Sequence, residues 1–171
     1  MERVWVFEKL AVTLRRVDFL DPAYEGQRDV RERGVRIEVK PATSQADGSI
    51  YASDTTTIDR ALARLDFLES APGKADRMHW HPEMAGGEPG DRTFDVDMPA
   101  DPRTWLERFL AGGLRDYLRE GGHDLAAYDG DLAAIADTGP EICRGLDEGL
   151  AWAREPWPDV AHDERGMAVL A

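Results

Sequence analysis

The chain has 171 residues, 42% of them hydrophobic and 32% charged, which places it among globular proteins of one-domain size with enough core to fold without cross-links. The formal net charge is −13, and the basic residues are scattered, so a nucleic-acid binder is excluded on electrostatic grounds and a solubilising acidic surface is expected. A single cysteine, Cys143, rules out an intramolecular disulfide and fits a small buried side chain in a helical pattern.

The N-terminus, MERVWVFEKL, has neither the basic start nor the continuous apolar core of a signal peptide. No run approaches the roughly 18 apolar residues of a membrane span. A cytoplasmic protein without membrane contact is the expectation.

In chain order, the first hundred residues read as strands. Val4, Val6, Leu10, Val12 and Leu14 fall on one side of a period-2 pattern, with a bulge or break expected at Glu8. Asp21 to Gly34 reads as a charged connection with room for a helical turn. Val35, Ile37 and Val39 alternate with Arg36, Glu38 and Lys40, as in a half-buried strand. Ile50 to Ile58 follows the turn signal Asp47-Gly48, and Ala63, Leu65 and Phe67 alternate with Arg64, Asp66 and Leu68. Further strands are predicted over Arg77 to His81 and over Thr93 to Val96.

The remainder reads as helix. Asp101-Pro102 supplies an N-cap and a proline at the first helical position, and Leu106, Leu110, Leu114, Tyr117 and Leu118 make the apolar stripe. Gly112-Gly113 is a place for a kink, and Gly121-Gly122 a stop. Asp129-Gly130 interrupts the next apolar run, Pro140 opens another helix carrying Ile142, Leu146, Leu150 and Ala153, and Pro156-Trp157-Pro158 ends it. Met167 to Leu170 is a final strand or a tail. The fold expected is a single α+β domain over 1–171: an antiparallel β-meander or partly closed barrel over 1–98, two or three helices over 101–154 packed on one face, and a tail over 155–171.

The one concentration of chemistry is Arg77-Met78-His79-Trp80-His81-Pro82. On a strand, residues i and i+2 project from the same face, so His79 and His81 can address one ion. A divalent metal needs a third ligand, for which Glu88, with Glu83 and Asp91, follows on the next loop. A cross-strand partner is also available. If Ala63, Leu65 and Phe67 share the buried side with Met78 and Trp80, then Arg64 and Asp66 lie on the face of Arg77, His79 and His81, and Asp66 can orient or ligate a histidine.

That parity puts the histidines on the polar side, where Arg77 opposes a cation. An ordinary solvated face is the simplest reading, and a metal site or a small anionic ligand held by Arg64, Asp66 and Arg77 is the alternative if the sheet curls around that face. Gly73, five residues and His79-x-His81 together resemble a fragment of the cupin metal motif. Ala85 and Gly86 stand where that pattern needs a glutamate, and the helical second half has no place for its later histidine, so no family is assigned.

Other patterns carry less. The 34 acidic residues make close pairs such as Asp95 and Asp97, or Asp147 and Glu148, expected by chance. His123 and His162 fit exposed loops. Asp124 to Asp137 resembles a calcium loop only in composition, because Leu125, Ala127 and Ala136 stand where oxygen ligands belong. Two functional classes remain: a metal or small-molecule binder, with enzymatic activity left open, and a non-enzymatic acidic module that meets a protein partner through surfaces near Trp105 and Trp157.

Overall fold

A computed structural model describes residues 2–20, 31–46, 48, 54–159, 161–162 and 168–169. Six strands, β1 (Glu2–Val6), β2 (Leu10–Leu20), β3 (Arg31–Ala46), β4 (Asp54–Ile58), β5 (Ala63–Glu69) and β6 (His79–His81), form an antiparallel sheet. Their order is β1-β2-β3-β5-β6, with β4 pairing the far end of β3. The sheet is not closed, so of the two forms expected the open meander is the one found. Short antiparallel pairs follow: β7 (Met84–Ala85) with β8 (Glu88–Pro89), and β9 (Ala161–His162) with β10 (Ala168–Val169).

Local chemistry accounts for several boundaries. The alternation from Val4 to Leu14 is two strands rather than one: the chain reverses at Glu8, closed by Phe7 N–H donating to the Leu10 carbonyl at 2.8 Å. β3 runs much further than the alternating stretch 35–39, and it takes in residues 31–34 of the charged connection; residues 21–30 lie outside the described residues, as do 50–53 of the Thr-rich strand. The strand expected over Thr93 to Val96 is reduced to one bridge, Thr93 with Trp80.

The helical half comprises α1 (Asp97–Ala100), α2 (Pro102–Arg108), a π-turn at Phe109–Gly113, α3 (Leu114–Glu120), a 3-10 turn at Leu125–Ala127 and α4 (Asp129–Ala153). Asp101 caps α2 as expected, accepting from Thr104 N–H at 3.0 Å. The paired glycines produce a π-turn, a known device for bending a helix.

One expectation fails. Pro140 does not open a helix but lies inside α4, a single run of 25 residues. An interior proline costs about 3 kcal/mol. Here it sits on the exposed side, while Leu132, Ile135, Gly139, Ile142, Leu146, Leu150 and Ala153 form an unbroken buried stripe through it. Tertiary packing of that stripe overrides the local signal.

Helices and sheet enclose one apolar cluster. Leu10, Val12 and Leu14 of β2, Val35, Ile37 and Val39 of β3, and Ala63, Leu65 and Phe67 of β5 meet Met98, Leu106, Leu110, Leu114, Ile142 and Leu146. α4 lies close on the sheet because its facing positions are glycines: a Cβ at Gly149 would come within 2.3 Å of Val35 Cγ2. Its N-terminal turn is tied to the first hairpin by buried Asp131, which accepts from Lys9 N–H at 2.7 Å and Leu10 N–H at 2.6 Å. Among the described residues, no helix is long and apolar enough to cross a membrane.

Candidate functional site

The face of the sheet turned away from the helices carries the polar members of the same strands. Registers align Arg36 with Asp66 and Asp66 with His79 across β3, β5 and β6, and in the next row Glu38 with Arg64 and Arg64 with His81. The side chains of Arg36, Arg64, Asp66, His79 and His81 therefore share one face, as the alternation predicts. Met78 and Trp80 point the other way. Met78 is in the core, and Trp80 packs against it, 5.7 Å from the Tyr117 ring.

This face is polar but not solvated. Relative exposure is 0% for Asp66, 1% for His79 and 4% for His81. An open sheet does not curl far enough to do this, and the chain after β6 supplies part of the enclosure. It turns through β7 and β8 and returns beside β6, where Trp80 and Thr93 exchange two backbone hydrogen bonds of 3.0 and 2.8 Å. The return places the Gly90 carbonyl 2.9 Å from His81 Nδ1 and the Phe94 ring 5.6 Å from the His79 ring.

Both imidazoles are oriented through backbone carbonyls. His79 Nδ1 lies 2.8 Å from the Arg77 carbonyl, and His81 Nδ1 meets that of Gly90. A carbonyl only accepts, so each Nδ1 carries the proton, and in the neutral ring Nε2 is left with its lone pair. Burial pushes the His79 imidazolium down to about 4, with the Arg77 carbonyl and Asp66 opposing less strongly, so this ring is neutral at pH 7.

The two Nε2 atoms converge on one oxygen: His79 lies 3.5 Å and His81 3.4 Å from Asp66 Oδ2. Among the described residues, buried His81 Nε2 has no hydrogen-bond partner. At that separation the contact is well beyond the roughly 2.7–2.9 Å of a charge-assisted bond.

Asp66 is an ionised carboxylate. Burial alone would raise its pKa, but the Arg36 and Arg64 guanidiniums beside it oppose burial, and it is held well below the usual carboxylate range. Arg36 Nε donates to Oδ1 at 2.6 Å and Arg64 Nε to Oδ2 at 2.7 Å. Asp66, His79 and His81 each offer one ligand atom within 4.8 Å of the others, and the group could hold a metal ion. The two carboxylate–imidazole separations suit a tetrahedral ion, since bonds of about 2.1 Å give tetrahedron edges of about 3.4 Å.

The sequence-derived candidates divide as follows. His79, His81, Asp66 and Arg64 come together. Arg77 addresses the site through its carbonyl, while its Nε lies 3.9 Å from buried Glu32, which Arg92 approaches at 3.3 Å. Glu88, expected as the third metal ligand, is exposed on the β7–β8 hairpin and does not belong to the cluster, because the tight turn at Gly86 and Gly87 carries it away; Asp66 is the carboxylate that stands with the two histidines.

Arg36, the Gly90 carbonyl, and the Tyr117 hydroxyl that donates to the His81 carbonyl at 2.6 Å were not apparent in the sequence. Alternation alone placed Arg36 on the polar side of its strand, but no sequence signal gave its register against Asp66. Burial pushes the Tyr117 phenol up to about 12, so it remains a donor at neutral pH.

Residues set aside earlier have ordinary roles. Cys143 is buried with its thiol pushed up to about 11 by burial. Asp95 accepts from the Trp105 indole at 2.8 Å. Trp105, one of the two tryptophans considered for partner contact, is in the core and stacks on Phe109 at 5.4 Å. Comparison of the chain with protein-family models, curated proteins and solved structures found no match.

Proposed function

We propose that the protein binds a divalent transition metal, zinc in the first instance, through Asp66 Oδ2 and the Nε2 atoms of His79 and His81. The observation that carries this reading is the convergence of two buried, carbonyl-oriented imidazoles on a shared carboxylate oxygen, with His81 Nε2 left without a hydrogen-bond partner. The lone pair of neutral His79 Nε2 repels the carboxylate oxygen, and a cation between them turns that repulsion into ligation. Two imidazoles and one carboxylate suit zinc and its neighbours better than calcium or magnesium, which take oxygen ligands. The ligands already hold the protonation states that binding requires, a neutral imidazole at His79 and an ionised Asp66.

The ion would tie β6 to β5, and through the Gly90 carbonyl it would favour the closed return of the chain. The surplus of negative charge outside the site supports a partner that is an ion or small molecule rather than nucleic acid.

Elemental analysis tests the reading on untagged protein stripped with a chelator and dialysed against zinc. One equivalent per chain is expected for the wild type, and none above background for the double variant His79→Ala/His81→Ala. A wild-type protein that retains no zinc and shows no zinc- or cobalt-induced rise in melting temperature overturns it.

A further inference from the structure

Charge at the site goes further than the three ligands. Asp66 is shared by two guanidinium groups, Arg36 and Arg64, whose side chains are only 12% and 17% exposed. Beside them, Arg92 lies 3.3 Å and Arg77 Nε 3.9 Å from Glu32, and Lys40 answers Glu38 at 2.9 Å. In a chain of net charge −13, Arg36 and Arg64 thus bring two cations to the one carboxylate of Asp66 even before a metal enters.

A divalent ion bound by one carboxylate and two neutral imidazoles adds two more positive charges. Enclosed charges are poorly screened by salt and costly without a counter-charge. Three protein ligands also leave a zinc-like ion at least one open position. Arg36 and Arg64 each meet Asp66 through Nε alone, and among the described residues no protein acceptor takes their terminal nitrogens. Those nitrogens are the half of the guanidinium fork that recognises carboxylate and phosphate oxygens.

We propose that the site takes its metal together with a small oxyanion, a carboxylate or a tetrahedral phosphate-like group, whose oxygen fills the metal's open position while Arg36 and Arg64 bind the rest of it. This rests on the metal reading above and names the ligand class of the same site. It reconciles a cation site with arginines that would otherwise repel the cation, because the anion balances both. Metal and anion then bind cooperatively, and linkage requires each to raise the other's affinity by the same factor.

The test is a Co²⁺ titration of chelator-stripped protein, followed by the cobalt d–d bands, in perchlorate, acetate or sulfate at equal ionic strength. Cobalt affinity is expected to be about tenfold or more higher in acetate or sulfate than in perchlorate, with different band positions, since an anion that enters the coordination sphere changes the ligand field. In Arg36→Gln and Arg64→Gln the preference should fall below about threefold, while affinity in perchlorate rises as a repelling charge is removed. Whichever of acetate and sulfate couples more strongly distinguishes a planar carboxylate from a tetrahedral oxyanion.

Equal cobalt affinity and identical spectra in all three salts overturn the inference and leave the metal site standing. Absence of cobalt binding in every salt overturns the metal reading itself. The wild-type salt comparison needs no variant, so a poorly folding arginine substitution does not blunt the test.

Discussion

On the helix side of the sheet, Leu14, Ile37, Leu65 and Phe67 are buried under α2 and α4; on the other side, one residue out of phase on the same strands, Arg36, Asp66 and His79 are almost as fully withdrawn from water. The first face is held by dispersion and apolar burial, which are non-directional and tolerate exchange among side chains of similar volume. The second is held by individual atoms with individual partners: two guanidinium nitrogens on Asp66, two carbonyls on two imidazoles. Directional networks of this kind are costly when one member lacks a partner. The polar face has such a member, His81 Nε2, at the point where two histidines and an aspartate converge. Both faces contribute to folding, and on the polar one the unpartnered imidazole nitrogen stands within a His/His/Asp group that could hold a metal ion.

The contrast is open to direct attack, most severely on the apolar face. Phe67→Ala removes a fully buried ring between the sheet and Trp105, 6.1 Å away, and should cost about 3–5 kcal/mol in urea unfolding. If the faces are functionally separate, this variant still takes up one equivalent of zinc at temperatures where it is folded. Asp66→Asn strikes the polar face. It leaves two guanidiniums without their carboxylate, and because both are partly exposed the expected loss is about 2–4 kcal/mol, below that of a fully enclosed pair. Zinc uptake should disappear along with it. An Asp66→Asn protein that binds zinc normally would remove Asp66 from the ligand set.

The two faces were not equally legible in the sequence. Period-2 alternation identified the apolar face of β2, β3 and β5 but not of β1, where Val4 and Val6 are exposed and Trp5 packs on the core because the turn at Glu8 shifts the phase; the same parity placed Arg64, Asp66, His79 and His81 together, because side-chain direction in a strand is a local property. Enclosure was not local. It depends on the turn after Pro82, the Trp80–Thr93 bridge and the Gly90 carbonyl, none of which has a signature in residue type. For the same reason nearness in sequence suggested Glu88, whereas register across three strands supplies Asp66 and Arg36. Pro140 is the reverse case, a strong local signal outvoted by the long buried stripe of α4.

A smaller effect should appear with pH in the metal-free protein. His79 has a folded pKa of about 4 against an ordinary 6.5, so between those values the unfolded chain holds a proton that the native chain does not. Stability therefore rises with pH across that window and is lost as pH falls through it. Asp66, held below the usual carboxylate range, adds a loss of the same sign at still lower pH. Wild type should lose about 1–2 kcal/mol more than His79→Gln between about pH 7 and about pH 5, as read from urea midpoints. Parallel pH profiles for the two proteins would mean that His79 is not held neutral by its surroundings.

The smallest effect on stability should come from Phe94→Ala, and it bears on how the enclosed face is reached. Phe94 lies against His79 with its ring centroid 5.6 Å away, yet it is itself 58% exposed, so it covers the imidazole without being covered. Truncating a side chain that exposed should change unfolding free energy by less than about 0.5 kcal/mol. It supplies no ligand atom of its own, so the equilibrium affinity for Co²⁺ should stay within about threefold of wild type, the span of a surface truncation worth less than about 0.5 kcal/mol. The rate of cobalt uptake in stopped flow should nevertheless rise several-fold, with dissociation accelerated in proportion, because a barrier lowered for entry is lowered for exit. Unchanged rates would place the entrance elsewhere on the 82–94 return, whereas a large fall in affinity would make Phe94 part of the binding surface rather than its cover.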